Sequence, residues 1–437
     1  MSPTTPPSSG ALQTGVKRRH VWAWAMYDFA NSGYTTVVIT AVFSAYFVGA
    51  VAGAAPWATL AWTVALSVSY ALALLVMPAL GAWADGRGSK KRVLLWSTLG
   101  CVLATAALAT VGAQDVALAM ALIVVSNLLY SVGESTIAAF LPELAKPESM
   151  GRVSGWGWAW GYVGGMVTLG LCLAYVLSAQ DRGEPATAFV PVTMRITAAV
   201  FGLAACVTLL GLPERANSPA ATTAHATRQW WAQLRATWVR AQTLPDLAQS
   251  LRCVVAYQAG VAVAIALAAI YAEQTMGFAP QETMVLIFVL NIAAMAGALL
   301  LGHLHDRIGV KATLGLTLVG WILTCAIAAL AQSKGVFWWA AGIAGVCMGA
   351  SQSAGRAMVG QLSPPAQRGE FFALWAVAVR LASILGPLLY GVVTWLASGN
   401  QRMAIAATSV LFVLGWWLLR GVNVARGMRA ATSAHTP

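Results

Sequence analysis

Long apolar runs constrain this chain more than any other feature of its sequence. Twelve such runs alternate with short segments that hold most of the charged residues. A run of about 18 or more apolar residues is long enough to cross a bilayer core of about 30 Å as a helix. Only 9% of the residues are charged, against about 25% in a soluble domain. The pattern therefore predicts an all-α integral membrane protein.

The twelve predicted helices fall into two groups of six, which gives the chain two bundles and a central linker. The predicted helices are 22–50, 57–83, 93–112, 116–140, 152–179, 191–212, 251–275, 281–304, 312–331, 336–360, 370–397 and 401–420. The predicted parts are a disordered tail (1–20), an N-terminal bundle (21–212), a linker (213–250), a C-terminal bundle (251–420) and a second tail (421–437).

The net charge of +12 does not indicate nucleic-acid binding, because the basic residues are placed by membrane side. Most Lys and Arg residues fall on the side that holds both predicted tails and the linker. By the positive-inside rule, that side is cytoplasmic. The first apolar run is too long for a cleavable signal peptide. We therefore expect a multi-pass protein of the plasma (bacterial inner) membrane with both termini in the cytoplasm.

The sequence offers no catalytic, metal or cofactor site. Its six cysteines lie in apolar runs at irregular spacing, which predicts free thiols that act as small core residues. No glycine-rich nucleotide-binding loop is present, which disfavours ATP as the energy source. No cluster of His, Asp or Cys has catalytic spacing. We therefore predict that the protein is not an enzyme.

A charged loop between predicted helices 2 and 3 returns between helices 8 and 9. Both copies read glycine, three residues, aspartate, then a basic residue, a glycine and a lysine. The charged positions are Asp85 and Arg87 in the first copy and Asp306 and Arg307 in the second. A repeat at half the chain length indicates two similar halves, as in many transporters. The aspartates could pair with basic groups to close an inner gate, or the loops could only fix the topology.

Five polar residues within predicted helices are candidates for a substrate or coupling-ion site: Asp28, Asn31, Glu134, Arg356 and Arg380. Ionisable groups inside a membrane are costly and usually face a cavity. Two acids lie in the first half and two arginines in the second. Arg380 suits an anionic group, and the acids suit an ammonium group or a coupling proton. The alternative is that these residues pair with one another and only stabilise the bundle.

Two further stretches carry structural predictions. Gly157, Gly161 and Gly165 stand four residues apart, so another helix could approach helix 5 closely along that flank. In the linker, Trp230, Trp231, Leu234 and Trp238 share one helical face, typical of a helix in the membrane interface. The alternative is a linker helix without lipid contact.

Several motifs resemble those of one known family. The duplicated loop resembles the signature loop of the major facilitator superfamily. Trp24–Ser32, Phe140–Leu144 and Ser351–Arg356 resemble motifs of its vacuolar amino-acid effluxers linked to autophagy and their bacterial relatives, the unknown major facilitator family. The resemblance implies the major facilitator fold, with two pseudo-symmetric bundles of six helices. Members of this branch often carry Lys where this chain has Arg380, which keeps the charge but alters its geometry.

These observations together predict a secondary transporter that works by alternating access. The best substrate is a small zwitterion such as an amino acid, because acidic and basic groups face one cavity. Its partners would be that solute, a coupling proton or sodium ion, and the bilayer; we expect a monomer. Two alternatives are efflux of amphipathic drugs or lipids, and a non-transporting receptor or scaffold on the same fold.

Overall fold

Twelve long helices make up most of the protein in the computed structural model, which describes residues 12–13, 15–87, 90–146, 150–213, 223–364 and 367–433. They are α1 (Arg18–Val51), α2 (Ala58–Arg87), α3 (Lys90–Thr110), α4 (Val116–Ala138), α5 (Met150–Asp181), α6 (Ala186–Gly211), α7 (Pro245–Met276), α8 (Pro280–Ile308), α9 (Val310–Leu330), α10 (Lys334–Leu362), α11 (Arg368–Leu396) and α12 (Gln401–Arg420).

Eleven of these helices, counted over the described residues, contain a stretch long and apolar enough to cross a membrane. The remaining one, α10, has 29 residues but is rich in small and polar side chains near Ser351. It lies against α8 and α9 within its own half, where polar groups are shielded from lipid. Large apolar side chains such as Leu203, Leu210 and Trp417 are exposed on the outside of the protein, as expected of a surface that faces lipid.

Helix α1 is not regular along its whole length. It is α-helical over Arg18–Tyr34 and has wider, π-helical turns over Thr35–Ala41 and Phe47–Val51. The first wide stretch is rich in β-branched residues, which crowd a regular turn, and the Thr35 hydroxyl donates to the carbonyl of Asn31 at 3.0 Å. These local preferences give α1 a change of helical pitch near the middle of the membrane.

The helix contacts of the first half recur in the second with the helix number raised by six. Helix α1 packs on α5 and α6, as α7 packs on α11 and α12; α4 packs on α2 and α3, as α10 packs on α8 and α9. One close backbone approach repeats as well. A Cβ atom at Gly164 of α5 would overlap the backbone of Phe29 in α1, and one at Gly386 of α11 would overlap that of Ala259 in α7.

The glycine flank predicted on helix 5 exists and faces α1. Side-chain atoms added at Gly157, Gly161 or Gly165 would collide with α1, for example at 2.8 Å from the Ser32 hydroxyl. Both helices belong to the first half. The flank is therefore a packing seam within one bundle, and not the surface along which the two halves move.

The two halves meet mainly through α2 with α11, α1 with α7, and α5 with α8. We call the membrane face at which α1, α7 and α11 begin the linker face, and the opposite one the far face. Near the far face, the Gln180 amide donates to Gln281 at 2.7 Å and that of Gln401 donates to Thr59 at 2.7 Å. The Ser67 hydroxyl reaches the carbonyl of Ile384 at 3.1 Å. The halves are therefore closed against each other toward the far face.

A further helix, Thr223–Gln242, lies in the linker. Its Leu234 and Trp238 pack on the core of the second half, whereas Trp231 is 39% exposed. The side chain of Trp230 lies outside the described residues. Arg240 forms an ion pair with Glu370 at the start of α11. Leu234 and Trp238 therefore contact protein, which favours the second of the two interpretations for these two residues.

Ordered structure extends beyond several predicted boundaries. In the predicted N-terminal tail, the backbone N–H of Gln13 donates to the Leu144 carbonyl at 2.9 Å, and α1 begins at Arg18. Helix α7 begins at Pro245, within the predicted linker. In the predicted second tail, Val424–Ser433 is helical. These differences arise because short polar segments gain hydrogen bonds from helix ends that hydropathy does not reveal.

Candidate functional site

The carboxylate of Glu134 and the guanidinium of Arg380 form a direct ion pair between the two halves. Glu134 lies on α4, about 6 Å before its end at the linker face, and Arg380 lies about 18 Å along α11 from its start. Arg380 also lies 5.7 Å over the ring of Tyr70 in α2. The Glu134 side chain is 38% exposed and the Arg380 side chain is 20% exposed. The pair is therefore partly buried, and each side chain can exchange its partner. This contact agrees with the alternative in which the polar residues of the membrane helices pair with one another.

Buried tyrosines hold the face of α4 that carries Glu134. The Tyr27 hydroxyl of α1 rests on Gly133, where a Cβ atom would overlap it, and shares a hydrogen bond of 2.9 Å with Thr98 of α3. One turn before Glu134, the ring of Tyr130 stacks on that of Tyr34 at 5.1 Å. The carboxylate therefore projects from a rigid support into the space between the halves.

The second half repeats this support but carries the opposite charge. The Tyr257 hydroxyl of α7 rests on Gly355 of α10 in the same way, and the next residue is Arg356. The guanidinium of Arg356 lies 5.4 Å over the ring of Trp375 in α11. Corresponding positions of the two bundles thus present an acid and a base.

Asp28 and Asn31 lie one turn apart on α1 and offer hydrogen-bond acceptors. Asp28 touches Gly157 of α5, at the glycine seam. Among the described residues, the Asp28 carboxylate has no ion pair or hydrogen bond, and the buried Asn31 Oδ1 has no donor. Asp28 also interacts electrostatically with Glu134. The first half therefore gathers acceptors near the ion pair.

The four predicted gating residues lie in helical backbone at the linker-face ends of α2 and α8. The side chains of Asp85, Arg87, Asp306 and Arg307 are outside the described residues. Their role as a gate stays a prediction.

Sequence inspection missed the aromatic residues of this site. Tyr27, Tyr70, Tyr257 and Trp375 read as ordinary apolar-run residues. A comparison of the two halves could have found two of them, since Tyr27-Asp28 in α1 corresponds to Tyr257-Gln258 in α7. The pairs Gly133-Glu134 and Gly355-Arg356 show the same correspondence between the two halves. Which rings lie under the arginines depends on helix rotation, which a single sequence leaves open.

Chemically, the site is polarised between the halves. Acids and a free amide oxygen come from α1 and α4, and arginines come from α10 and α11. Such an arrangement can hold a solute with a positive and a negative end, one end on each half. It can also exchange the internal ion pair for pairs with the solute, because both side chains are partly exposed.

The sequence was compared with known families and proteins. The family described as "Vacuole effluxer Atg22 like" matches residues 58–432. The chain is 28% identical to the "Uncharacterized MFS-type transporter YxiO" of Bacillus subtilis over 403 residues, 90% of this chain and 92% of that protein. It is 26% identical to Autophagy-related protein 22-1 of Aspergillus fumigatus over 306 residues, 64% of this chain and 49% of that protein.

Solved structures agree with this grouping at the level of fold. The protein superposes on a D-xylose–proton symporter with a TM-score of 0.70, 14% identity, and coverage of 93% of this chain and 99% of that one. For the nucleoside transporter NupG the TM-score is 0.66, with 14% identity and coverage of 93% and 98%. The predicted architecture of twelve membrane helices in two pseudo-symmetric bundles is confirmed.

Proposed function

This chain belongs to the family of Atg22-like vacuole effluxers and is a transporter of the major facilitator type, and on that premise we propose that it carries a small zwitterion, an amino acid or a close analogue, by alternating access. The observation that carries this proposal is the ion pair between Glu134 and Arg380. It joins the two halves, within the membrane, at the position where a solute must pass.

The pair serves as the substrate-free form of the site. With no solute bound, each charge neutralises the other, which lowers the cost of holding them in the membrane. An arriving zwitterion offers its carboxylate to Arg380 and its ammonium to Glu134, assisted by Asp28 and Asn31. The single ion pair between the halves is then replaced by two, one between the solute and Arg380 and one between the solute and Glu134. The solute takes the place of the direct link between the halves.

An ion gradient supplies the energy in this proposal. Asp28 is the residue best placed to carry a proton, because it has no basic partner among the described residues and lies near Glu134. Sodium is the alternative coupling ion. We place the linker face in the cytoplasm of a bacterial cell, following the positive-inside rule, and we expect the monomer to be sufficient.

Reconstituted transport tests the proposal. Purified protein in liposomes should take up labelled neutral amino acids when a proton gradient is imposed, and Glu134→Gln should abolish that uptake. Glu282→Gln is the matched control, since Glu282 pairs with Lys334 at 2.6 Å within the second half. Failure to move any amino acid under a proton or a sodium gradient would contradict the proposal.

A further inference from the structure

Hydrogen-bond donors gather around Arg356, nearer the linker face than Arg380. The guanidinium lies 5.4 Å over the ring of Trp375. The Tyr257 hydroxyl contacts the adjacent Gly355 and is fully buried. Arginine and tryptophan side chains only donate hydrogen bonds, so this group is suited to an acceptor.

Two of these donors are unsatisfied. The Tyr257 hydroxyl and the Trp375 Nε1 are buried and have no hydrogen-bond partner among the described residues. The corresponding hydroxyl of the first half, that of Tyr27, has Thr98 at 2.9 Å. Buried polar groups without partners are rare in folded proteins and call for an explanation such as a bound ligand.

Along the axis of α11, the cluster and Arg380 lie about the length of one small solute apart. Trp375 and Arg380 lie on the same helix, five residues apart, which is an axial rise of about 7.5 Å. That separation is comparable to the size of an amino acid with a charged side chain. A carboxylate fits the cluster because it has several acceptor lone pairs for guanidinium, hydroxyl and indole donors.

We propose that Arg356, Tyr257 and Trp375 form a second anionic subsite, and that the preferred substrates are zwitterions with an additional carboxylate, such as acidic amino acids. This inference rests on the proposed function, since the α-amino and α-carboxylate groups would occupy the site at Glu134 and Arg380. The side-chain carboxylate would lie toward the linker face.

Binding of two isosteric solutes to the purified protein tests the subsite. L-Glutamate and L-glutamine have nearly the same shape and differ in carrying a carboxylate or a neutral amide at the side-chain end, so isothermal titration of each measures the contribution of the carboxylate. The wild-type protein should bind glutamate more tightly. Tyr257→Phe removes one hydroxyl with little change in packing and should weaken glutamate binding by about tenfold, with glutamine unaffected. Arg356→Gln should remove the preference.

Tyr271→Phe is the matched control, since its hydroxyl already donates to the Ala328 carbonyl at 2.6 Å near the far face. It should bind both solutes like the wild type. Equal wild-type affinity for glutamate and glutamine would overturn the subsite and leave the zwitterion site standing. A preference for glutamate that survives Tyr257→Phe and Arg356→Gln would also overturn it. Binding of neither solute would contradict the proposed function as well.

Discussion

Glu134 and Arg356 occupy corresponding positions in the two halves, each directly after a glycine on which a buried tyrosine hydroxyl rests. The backbone arrangement is thus repeated while the sign of the charge is reversed. Because the packing is kept while an acid is exchanged for a base, the two halves present opposite charges at corresponding positions. That polarity underlies the proposed recognition of a zwitterion.

Exchanging the acid and the arginine of the ion pair tests whether the site depends only on having both charges or also on which helix carries each charge. Each single variant, Glu134→Arg or Arg380→Glu, places two like charges in contact and should reduce amino-acid uptake by at least about tenfold. The double variant restores an ion pair between α4 and α11 and should recover stability, measured as the melting temperature. Uptake should recover less, because the support of Tyr70 under Arg380 is lost. Double and single variants of equal stability would show that the pair does not form.

The glycine seam should tolerate no side chain next to Asp28. Gly157→Ala puts a methyl group into the Asp28 carboxylate and within 2.7 Å of the Trp24 ring, which should cost about 1–3 kcal/mol through overpacking. Gly170→Ala in the same helix is the control, because its added methyl group meets nothing within 4 Å. Thermal unfolding in detergent measures both. Equal melting temperatures for the two variants would contradict the observed α1–α5 approach.

In the proposed mechanism, the contact between the halves at the far face opens during transport. Cysteines at Gln180 and Gln281, which are hydrogen-bonded at 2.7 Å, should react together with a short thiol-specific crosslinker. The two cysteines are introduced into a protein that also carries Cys206→Ser, because Cys206 is exposed and the other five native thiols are buried. Crosslinking should abolish uptake, and either single cysteine should leave it intact. Full uptake by crosslinked protein would exclude alternating access through this interface.

A buried carboxylate fastens the C-terminal helix to the second half. Asp246, whose side chain is 3% exposed, accepts two hydrogen bonds from Arg426 at 2.8 Å and one from the backbone amide of Asn423 at 2.7 Å. Asp246→Ala should lower the stability by about 2 kcal/mol, since hydrogen bonds to charged groups are lost. Glu184→Ala breaks the exposed pair with Arg182 and should change the melting temperature little. A similar loss in both would argue against the fastening role.

Hydropathy and periodicity predicted the long helices and one of their packing surfaces. Helix α12 was predicted at 401–420, as observed, and the glycine flank of α5 was predicted from its four-residue spacing alone. All six cysteines are free thiols, as predicted. These features depend on one helix at a time, and the composition of each helix determines them.

The partners of the polar residues could not be predicted, because they depend on how different helices are rotated and docked. Nothing near Glu134 in the sequence points to Arg380, which lies on a helix of the other half. The break in α1 after Tyr34 also escaped notice, because wide turns follow from local crowding and not from apolar periodicity. The helical end of the chain at Val424–Ser433 becomes explicable only with Asp246 in place.

In the proposed mechanism, one half of the transporter binds the positive end of the solute and the other half binds the negative end. Isothermal titration of the purified protein with L-glutamine, its Nα-acetyl derivative and its α-amide tests this directly, because each derivative removes one charge. We predict measurable binding of glutamine and a loss of about tenfold or more for either derivative. Derivatives that bind as tightly as glutamine itself would contradict the claim.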